Sequence, residues 1–427
     1  MDQRSAARKR HNSGTRVASD KPKQVGFSIV WPHLIKLDPR NDTDYPLNIF
    51  GAIRFGGMEV LVTALKETQD CISADIHEEW MEATPGTADA RSVECCPEED
   101  SREPDFQRFL PREIGRLNDP QKDLPRIAKD SRLTGLIEAA LRKIPTTHAL
   151  HRGDARELGF IPDESVQLIV TSPPYWTLKK YRDTDGQLGD IEEYDAFHRE
   201  LDKVWANAYR VLVPGGRLIC VVGDVCLSRR KNNGRHTVVP LHAAIQEHCR
   251  KIGFDNVAPI IWHKIANAVH EVENGSGGFL GKPYEPNAVI KNDIEFILMQ
   301  RKPGGYRSPS LPVRILSVIS EENHRQWFQQ IWTGLNGVST KQHPAPFPVE
   351  LAERLIRMFS FAGDTVLDPF MGTASTNLAA SRSGRNSIGV EIDPHYFGIA
   401  ANRLRKEAGD LFGAISVQTL DCKGQLR

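Results

Sequence analysis

Asp368-Pro369-Phe370-Met371-Gly372-Thr373-Ala374-Ser375-Thr376 decides the fold. The apolar run Thr365 to Leu367 before it reads as a buried strand, and Asn377 to Ser383 after it as part of a helix. A strand that ends in a tight glycine turn and opens a helix of small residues lets a ligand approach the backbone closely. It also offers the free amides of the helix start. The next strand, Ser387 to Val390, runs into Glu391, 23 residues after Asp368. An acid near that spacing commonly accepts hydrogen bonds from ribose hydroxyls, so the pair suggests an adenosine-containing cofactor. A structural glycine turn followed by a surface acid fits these residues equally well. The Gly-x-Gly-x-x-Gly pattern is absent, which speaks against a nicotinamide cofactor.

Toward the N-terminus, Gln167 to Thr171 is a short apolar strand running into Ser172-Pro173-Pro174-Tyr175-Trp176. Two prolines stiffen this turn and remove two backbone donors, while the carbonyls beside them stay free to accept. A rigid acceptor beside an aromatic ring suits a flipped-out base that carries an amino group. The plainer reading is a proline-rich turn with a packed aromatic, and Trp176 reads as core more than as a second stacking ring. Helices are expected over Leu133 to Lys143, Tyr194 to Leu212 (closed by Pro214-Gly215-Gly216), Leu241 to Ile252 and Val349 to Phe359. Strands are expected over Arg217 to Val222, Val257 to Trp262 and Ile294 to Met299. Strands alternating with helices of a dozen residues predict an α/β fold, a mainly parallel sheet with helices on both faces. Open sheets of this kind bind ligands at the carboxyl ends of their strands, where both loops lie.

Composition sets the outer bounds. The chain has 427 residues, 40% of them hydrophobic, with 55 Lys plus Arg against 55 Asp plus Glu. A net charge near zero neither supports nor excludes a nucleic-acid partner, because binding needs a local basic face. No apolar run is long enough for a membrane span and no secretory leader is visible, so a cytoplasmic protein is expected. Among seven cysteines no Cys-x-x-Cys pair occurs, and neither a disulfide framework nor a metal site is expected. Residues 1–25 read as a flexible arm, Pro46 to Leu65 as a small folded unit, and the acidic stretch 72–105 as a solvated linker or loop.

Taken together, these segments resemble the amino-methylating DNA methyltransferases. Ser172-Pro173-Pro174-Tyr175 matches the family's target-amine motif. Asp368 to Ser375 is similar to its cofactor loop, with Ala374 where the family has a second glycine. Gly389-Val390-Glu391-Ile392-Asp393 resembles the segment whose acid holds the ribose. Lys341-Gln342-His343-Pro344-Ala345-Pro346-Phe347-Pro348 resembles the one lining the methionine end. Arg210 to Arg217 looks like the helix-to-strand connection, and Asp154 like an acid near the cofactor adenine. The resemblance covers roughly residues 130 to 410. The catalytic loop precedes the cofactor loop, the permuted order of the family's beta group.

The resemblance implies a Rossmann-like sheet with S-adenosyl-L-methionine as methyl donor and double-stranded DNA as substrate. A cognate restriction endonuclease is a candidate partner. It assigns Ser172, Pro173, Pro174 and Tyr175 to catalysis. It assigns Asp154, Asp368, Pro369, Phe370, Gly372, Thr373, Ser375, Glu391, Lys341 and His343 to the cofactor. Residues 111–427 would form the catalytic domain, with 264–340 as an inserted target-recognition region, and 1–110 an N-terminal region without assigned role. Serine before the two prolines is the usual form in cytosine-N4 enzymes. Adenine N6 is the alternative target, and a nucleic-acid-binding module with a relic pocket the alternative class. Arg229-Arg230-Lys231-Asn232-Asn233-Gly234-Arg235-His236 follows a strand end on the same side of the sheet and is a candidate phosphate contact or a solvated loop.

Overall fold

The computed structural model describes residues 52–55, 58–61, 105–115, 117, 119–178, 182–227, 229–230, 232–264, 292–335, 337, 347–410 and 415–420. The arm at 1–25 and nearly all of the acidic stretch 72–105 lie outside them, as do Lys341 and His343. The chain divides into two compact units, Met1–Cys96 and Pro97–Arg427. In the first, β1 (Ala52–Phe55) and β2 (Met58–Leu61) pair as an antiparallel hairpin inside the expected small folded unit.

The second unit is built on a nine-stranded sheet. Its strands are β3 (Thr146–Arg152), β4 (Val166–Thr171), β5 (Leu212–Val222), β8 (Asp255–His263), β9 (Ile294–Arg301), β10 (Ile331–Trp332), β11 (Thr365–Asp368), β12 (Asn386–Glu391) and β13 (Ile415–Leu420). They run in the order β10-β8-β9-β5-β4-β11-β12-β3-β13. Neighbours are parallel except where β9 pairs with β5 and β8. A small hairpin of β6 (Val225–Leu227) and β7 (Thr237–Val239) follows the carboxyl end of β5.

The central strands are apolar on both sides because helices cover both faces. On one face, Ile169 of β4 and Leu218, Cys220 and Val222 of β5 pack with Phe197, Leu201, Val204 and Trp205 of α3 (Tyr194–Val211) and Ile245 of α4 (Leu241–Ile252). On the other, Leu168, Val170, Ile219 and Val221 meet Leu351, Leu355 and Ile356 of α7 (Val349–Phe359) and Ala379 and Ala380 of α8 (Ser375–Arg382). The alternation follows from the two-residue period of a strand. The small alanines of α8 allow that helix a close approach. Helices α1 (Pro120–Lys129), α2 (Ser131–Leu141), α5 (Leu311–Leu316), α6 (Glu321–Trp327) and α9 (Pro394–Asp410) complete the unit.

Two features depart from the sequence-based expectation. Pro214-Gly215-Gly216 is not a turn before the strand; β5 begins at Leu212 and carries these residues as an irregularity in its pairing with β4. Gly215 has φ +78, and a Cβ there would collide with the Gly305 carbonyl, so the backbones touch only because this residue has no side chain. In addition, the region 264–340 gives the main sheet an unexpected strand, β10, besides β9, which lies over the strand expected at Ile294 to Met299. Only residues 265–291 of that region form a continuous stretch of any length outside the described residues.

Gly389 in β12 fixes how closely α8 packs under the loop at 368–374. A Cβ there would collide with Met371 Sδ and come within 2.9 Å of Asn377 Nδ2. Asn377 is fully buried and its amide donates to Ser387 Oγ at 2.9 Å, so it has little room to yield. Gly389→Ala is expected to destabilise the unit by about 1–3 kcal/mol, the usual cost of overpacking. Urea denaturation with an unchanged midpoint would contradict this account of the packing.

Candidate functional site

The sheet's topological switch point lies between β4 and β11. From β4 the chain proceeds through α3 to β5 on one side, and from β11 through α8 to β12 on the other. Loops leaving two such strands part in opposite directions and open a crevice. At this crevice the Thr171 hydroxyl donates to Asp368 Oδ1 at 2.7 Å, tying the two strand ends together. Asp368 is fully buried; its Oδ1 also accepts the Phe370 amide at 3.1 Å, while Oδ2 has no hydrogen-bond partner among the described residues. Burial pushes its carboxyl up to about 6, against the donors that favour the charged form.

Glu391 closes the other side of the same loop. Its Oε2 accepts the Gly372 amide at 2.8 Å and its Oε1 the Asp393 amide at 2.9 Å. It is 9% exposed, and burial pushes its carboxyl up to about 8 although both amides favour ionisation. The loop's amides are thus largely consumed internally: Phe370 by Asp368, Met371 by the Val390 carbonyl, Gly372 by Glu391 and Ala374 by the Met371 carbonyl. These four amides of the loop ahead of the helix are therefore committed to holding its shape. Ala374 caps α8 at φ 66, ψ 36, the left-handed conformation a glycine takes freely. An alanine sustains it at a cost of about 1–2 kcal/mol, which the surrounding bonds must offset.

The loops line an open cleft formed by Gly153, Asp154, Ala155, Ser172, Pro174, Gly186, Gln187, Leu188, Pro369, Phe370, Val390, Glu391, Ile392 and Tyr396. Of the residues singled out in the sequence, Asp154, Ser172, Pro174, Pro369, Phe370 and Glu391 meet on its walls. Asp368, Gly372, Thr373 and Ser375 lie behind the wall and are buried. Thr373 is held there by Arg403, whose guanidinium donates to its hydroxyl at 2.9 Å. Asp154 is already engaged: Arg156 donates to it through Nε at 3.0 Å and forms an ion pair at 2.5 Å, and also pairs with Glu200 at 2.5 Å. The wall from Gly186 to Leu188 was missed in the sequence because a loop without periodicity or motif leaves no signal.

Tyr175 differs from the open stacking ring that the sequence suggested. It is 4% exposed and packs in the core beneath β5. Its hydroxyl donates to Glu295 Oε2 at 3.2 Å, with the Val221 carbonyl at 3.4 Å, and accepts from Ser172 Oγ at 3.3 Å. The rigid Pro173-Pro174 turn sends the next side chain back toward the sheet. Trp176, at φ 45, is half-buried; its Nε1 donates to the Glu192 carbonyl at 3.2 Å and its ring meets Tyr194 edge-on at 4.9 Å.

A family model for DNA methylases matches residues 166–402, more than half of the chain. The chain is similar to the type II methyltransferase M.MjaI of Methanocaldococcus jannaschii, 38% identical over 279 residues that cover 58% of this chain and 88% of the relative. It is also similar to the DNA adenine methyltransferase YhdJ of Escherichia coli K12, 30% identical over 271 residues that cover 59% and 81% respectively. Among solved structures, a putative DNA modification methylase of Thermus thermophilus, complexed with S-adenosyl-L-methionine, is 52% identical with a TM-score of 0.52. The match covers 64% of this chain and 100% of the other.

The buried Glu391 makes stability pH-dependent with a definite sign. The folded chain keeps this proton to higher pH than the unfolded chain, so stability declines as pH rises from the ordinary value near 4.5 through about 8. Above that window both states are ionised and the decline stops. Glu391→Gln removes this part of the slope. Urea midpoints of both proteins, measured on either side of the window, check it; parallel slopes would show that Glu391 is already ionised in the fold.

Proposed function

The chain belongs to the DNA methylase family, and on that premise we propose that it transfers a methyl group from S-adenosyl-L-methionine to the N4 amino group of cytosine in duplex DNA. The observation that supports this reading is the Thr171–Asp368 joint, beside which Ser172, Pro174, Pro369 and Phe370 line one cleft.

The residues of the cleft fit the proposed cofactor. Pro369, Phe370, Val390 and Ile392 supply apolar walls for an adenine ring. Glu391 keeps lone pairs free on both oxygens after accepting its two amides, which suits ribose hydroxyls. Asp154 and its Arg156 partner flank the same space, and Asp368, Gly372, Thr373 and Ser375 hold the loop in shape. The family resemblance assigns Lys341 and His343 to the methionine end. Bound there, the cofactor supplies an electrophilic methyl carbon on a sulfonium.

Everything else is positioning by the protein. The Ser172 hydroxyl and the Pro173 carbonyl accept hydrogens of the target amine, which favours a tetrahedral nitrogen with its lone pair available. No covalent enzyme intermediate is needed. We assign Tyr175 to fixing Ser172 from below rather than to stacking on the base, because its ring is buried. Arg229, Arg230 and Arg235 are exposed at the β6–β7 hairpin, beside the turn that follows Trp176, and suit phosphate contacts. Residues 264–340 are assigned to target recognition. The type II naming of the relatives supports a restriction–modification setting with a cognate endonuclease, and genomic DNA as substrate fits the cytoplasm.

The cytosine assignment rests on Ser172, the form usual in cytosine-N4 enzymes. The test is to methylate duplex DNA with the purified protein, digest it and identify the nucleoside by mass spectrometry. N4-methylcytosine is expected. N6-methyladenine as sole product would replace cytosine by adenine, the target named for the E. coli relative; 5-methylcytosine would overturn the mechanism as well.

Ser172→Ala removes an acceptor that acts on the target amine alone. Cofactor affinity is expected to stay within about twofold while turnover falls about 10²-fold or more, the range for a lost proton-handling or charge-stabilising group. Calorimetry and steady-state rates separate the two, and a weakened cofactor Kd with normal turnover would move Ser172 to the cofactor side of the cleft.

A further inference from the structure

Beneath Ser172 a line of hydrogen bonds leads into the protein and ends on a buried ion pair. Ser172 Oγ donates to Tyr175 OH at 3.3 Å, and Tyr175 OH donates to Glu295 Oε2 at 3.2 Å. Glu295 Oε1 accepts from the Lys264 ammonium. Glu295 is 7% exposed, on the antiparallel strand β9 beside the carboxyl end of β5. Gly223 leaves the room for this meeting: a Cβ there would stand 3.3 Å from both Glu295 Cγ and Tyr175 Cε2. A carboxylate buried this deeply is costly unless paired. Lys264 gives it a cationic partner on one oxygen and leaves the other to accept from the phenol. Lys264 directly follows β8, two residues past Trp262, and its ammonium lies 5.4 Å from the Trp262 ring centroid.

The direction of donation matters. Each hydroxyl donates inward, so Ser172 presents a lone pair outward to the cleft. We infer that Ser172, Tyr175 and Glu295 form a proton relay that takes the proton lost by the target amine during methylation and delivers it to the Glu295 carboxylate. This inference rests on the amino-methylation reading. When the amine nitrogen forms its bond to the methyl carbon, the sulfur keeps the electron pair of the bond that breaks. The nitrogen then carries one positive charge and must lose one proton. That proton passes to Ser172 Oγ as the serine's own passes to Tyr175 OH and the phenol's to Glu295 Oε2. The two hydroxyls end neutral, and the balance is one proton gained by Glu295. Protonated on its exocyclic nitrogen, a base amine loses the conjugation of its lone pair into the electron-poor ring, which makes that proton strongly acidic and favours its transfer inward. Lys264, whose side chain is 34% exposed, gives the ion pair an edge in solvent through which the proton leaves between turnovers.

Glu295→Gln keeps the shape and a hydrogen bond to the phenol but cannot take the proton. Tyr175→Phe keeps the ring and cuts the line. With cofactor and DNA saturating, each is expected to lower the single-turnover methylation rate about 10²-fold. Both should leave cofactor and DNA Kd values within about twofold by calorimetry, and the double variant should be no slower than either single one, since both interrupt one path. A second readout needs neither cofactor nor DNA. The infrared difference spectrum of wild type minus Glu295→Gln should show an ionised-carboxylate band, and Tyr175→Phe should shift that band by removing its donor. Additive rate losses, unchanged rates, or a carboxylate band indifferent to Tyr175→Phe would each overturn the relay while leaving the methylation reading intact. Failure of the wild type to methylate DNA would overturn both. If Glu295→Gln does not fold, Tyr175→Phe, which lacks a single oxygen, decides the matter through its rate and melting temperature: a slow, stable variant supports the relay, and a fast one ends it.

Discussion

The hydrogen bond from Thr171 to Asp368 is the joint on which the site depends. It connects the last residues of two adjacent central strands at the point where the chain's winding reverses. The pairing of β4 and β11 sets the strands side by side, and this bond carries the alignment past the ladder to the first residues of the two loops. With it, the turn that begins at Ser172 and the turn that begins at Pro369 share one frame, and a cleft forms between them. The cost is a buried carboxylate pushed up to about 6. Its donors, among them the Thr171 hydroxyl and the Phe370 amide, offset part of that cost.

The same device recurs at Glu391, a second buried acid that accepts loop amides, and in both cases the carboxylate organises backbone before it meets any ligand. This explains why several residues of the Asp368–Thr376 segment stand behind the cleft rather than on it. Their work is to hold a left-handed Ala374 and a positive-φ Gly372 in a conformation that the local sequence alone would not favour. Asp154 fits the same pattern, being held by Arg156, which Glu200 holds in turn. The acids around this cleft are fastened before they function.

The other half of the site depends on β9, the antiparallel strand of the main sheet among the described residues. Because β9 runs against β5, its first residues lie at the carboxyl end of the parallel strands, where the chemistry is. Glu295 reaches the underside of the Ser172 loop by that reversal. A parallel strand in the same place would bring its last residues there instead. The sheet's single reversal is thus tied to the environment of Tyr175, and the burial of that ring follows from it.

Local periodicity was enough to read much of this fold. Val349–Phe359 and Leu241–Ile252 form helices over the residues expected, and Val166–Thr171, Asn386–Glu391 and Thr365–Asp368 form strands within a residue or two of the expectation. Apolar spacing survives in these segments because each packs on one continuous core. β3 escaped notice because its buried positions include His148 and His151; His148 bonds to Ser387 and Thr146, satisfaction no hydropathy pattern reveals. The sequence by itself determined the central helices and strands named above, the two strand-end loops and the residues Ser172, Phe370 and Glu391 of the cleft, since those signals are short-range. Only the tertiary structure decided that Tyr175 points inward, that Glu295 lies beneath it 120 residues away, that the loop amides are already committed and that Gly186 to Leu188 close the wall. Those outcomes depend on which strands become neighbours and in which direction they run, and that is settled by burial and pairing across the whole sheet.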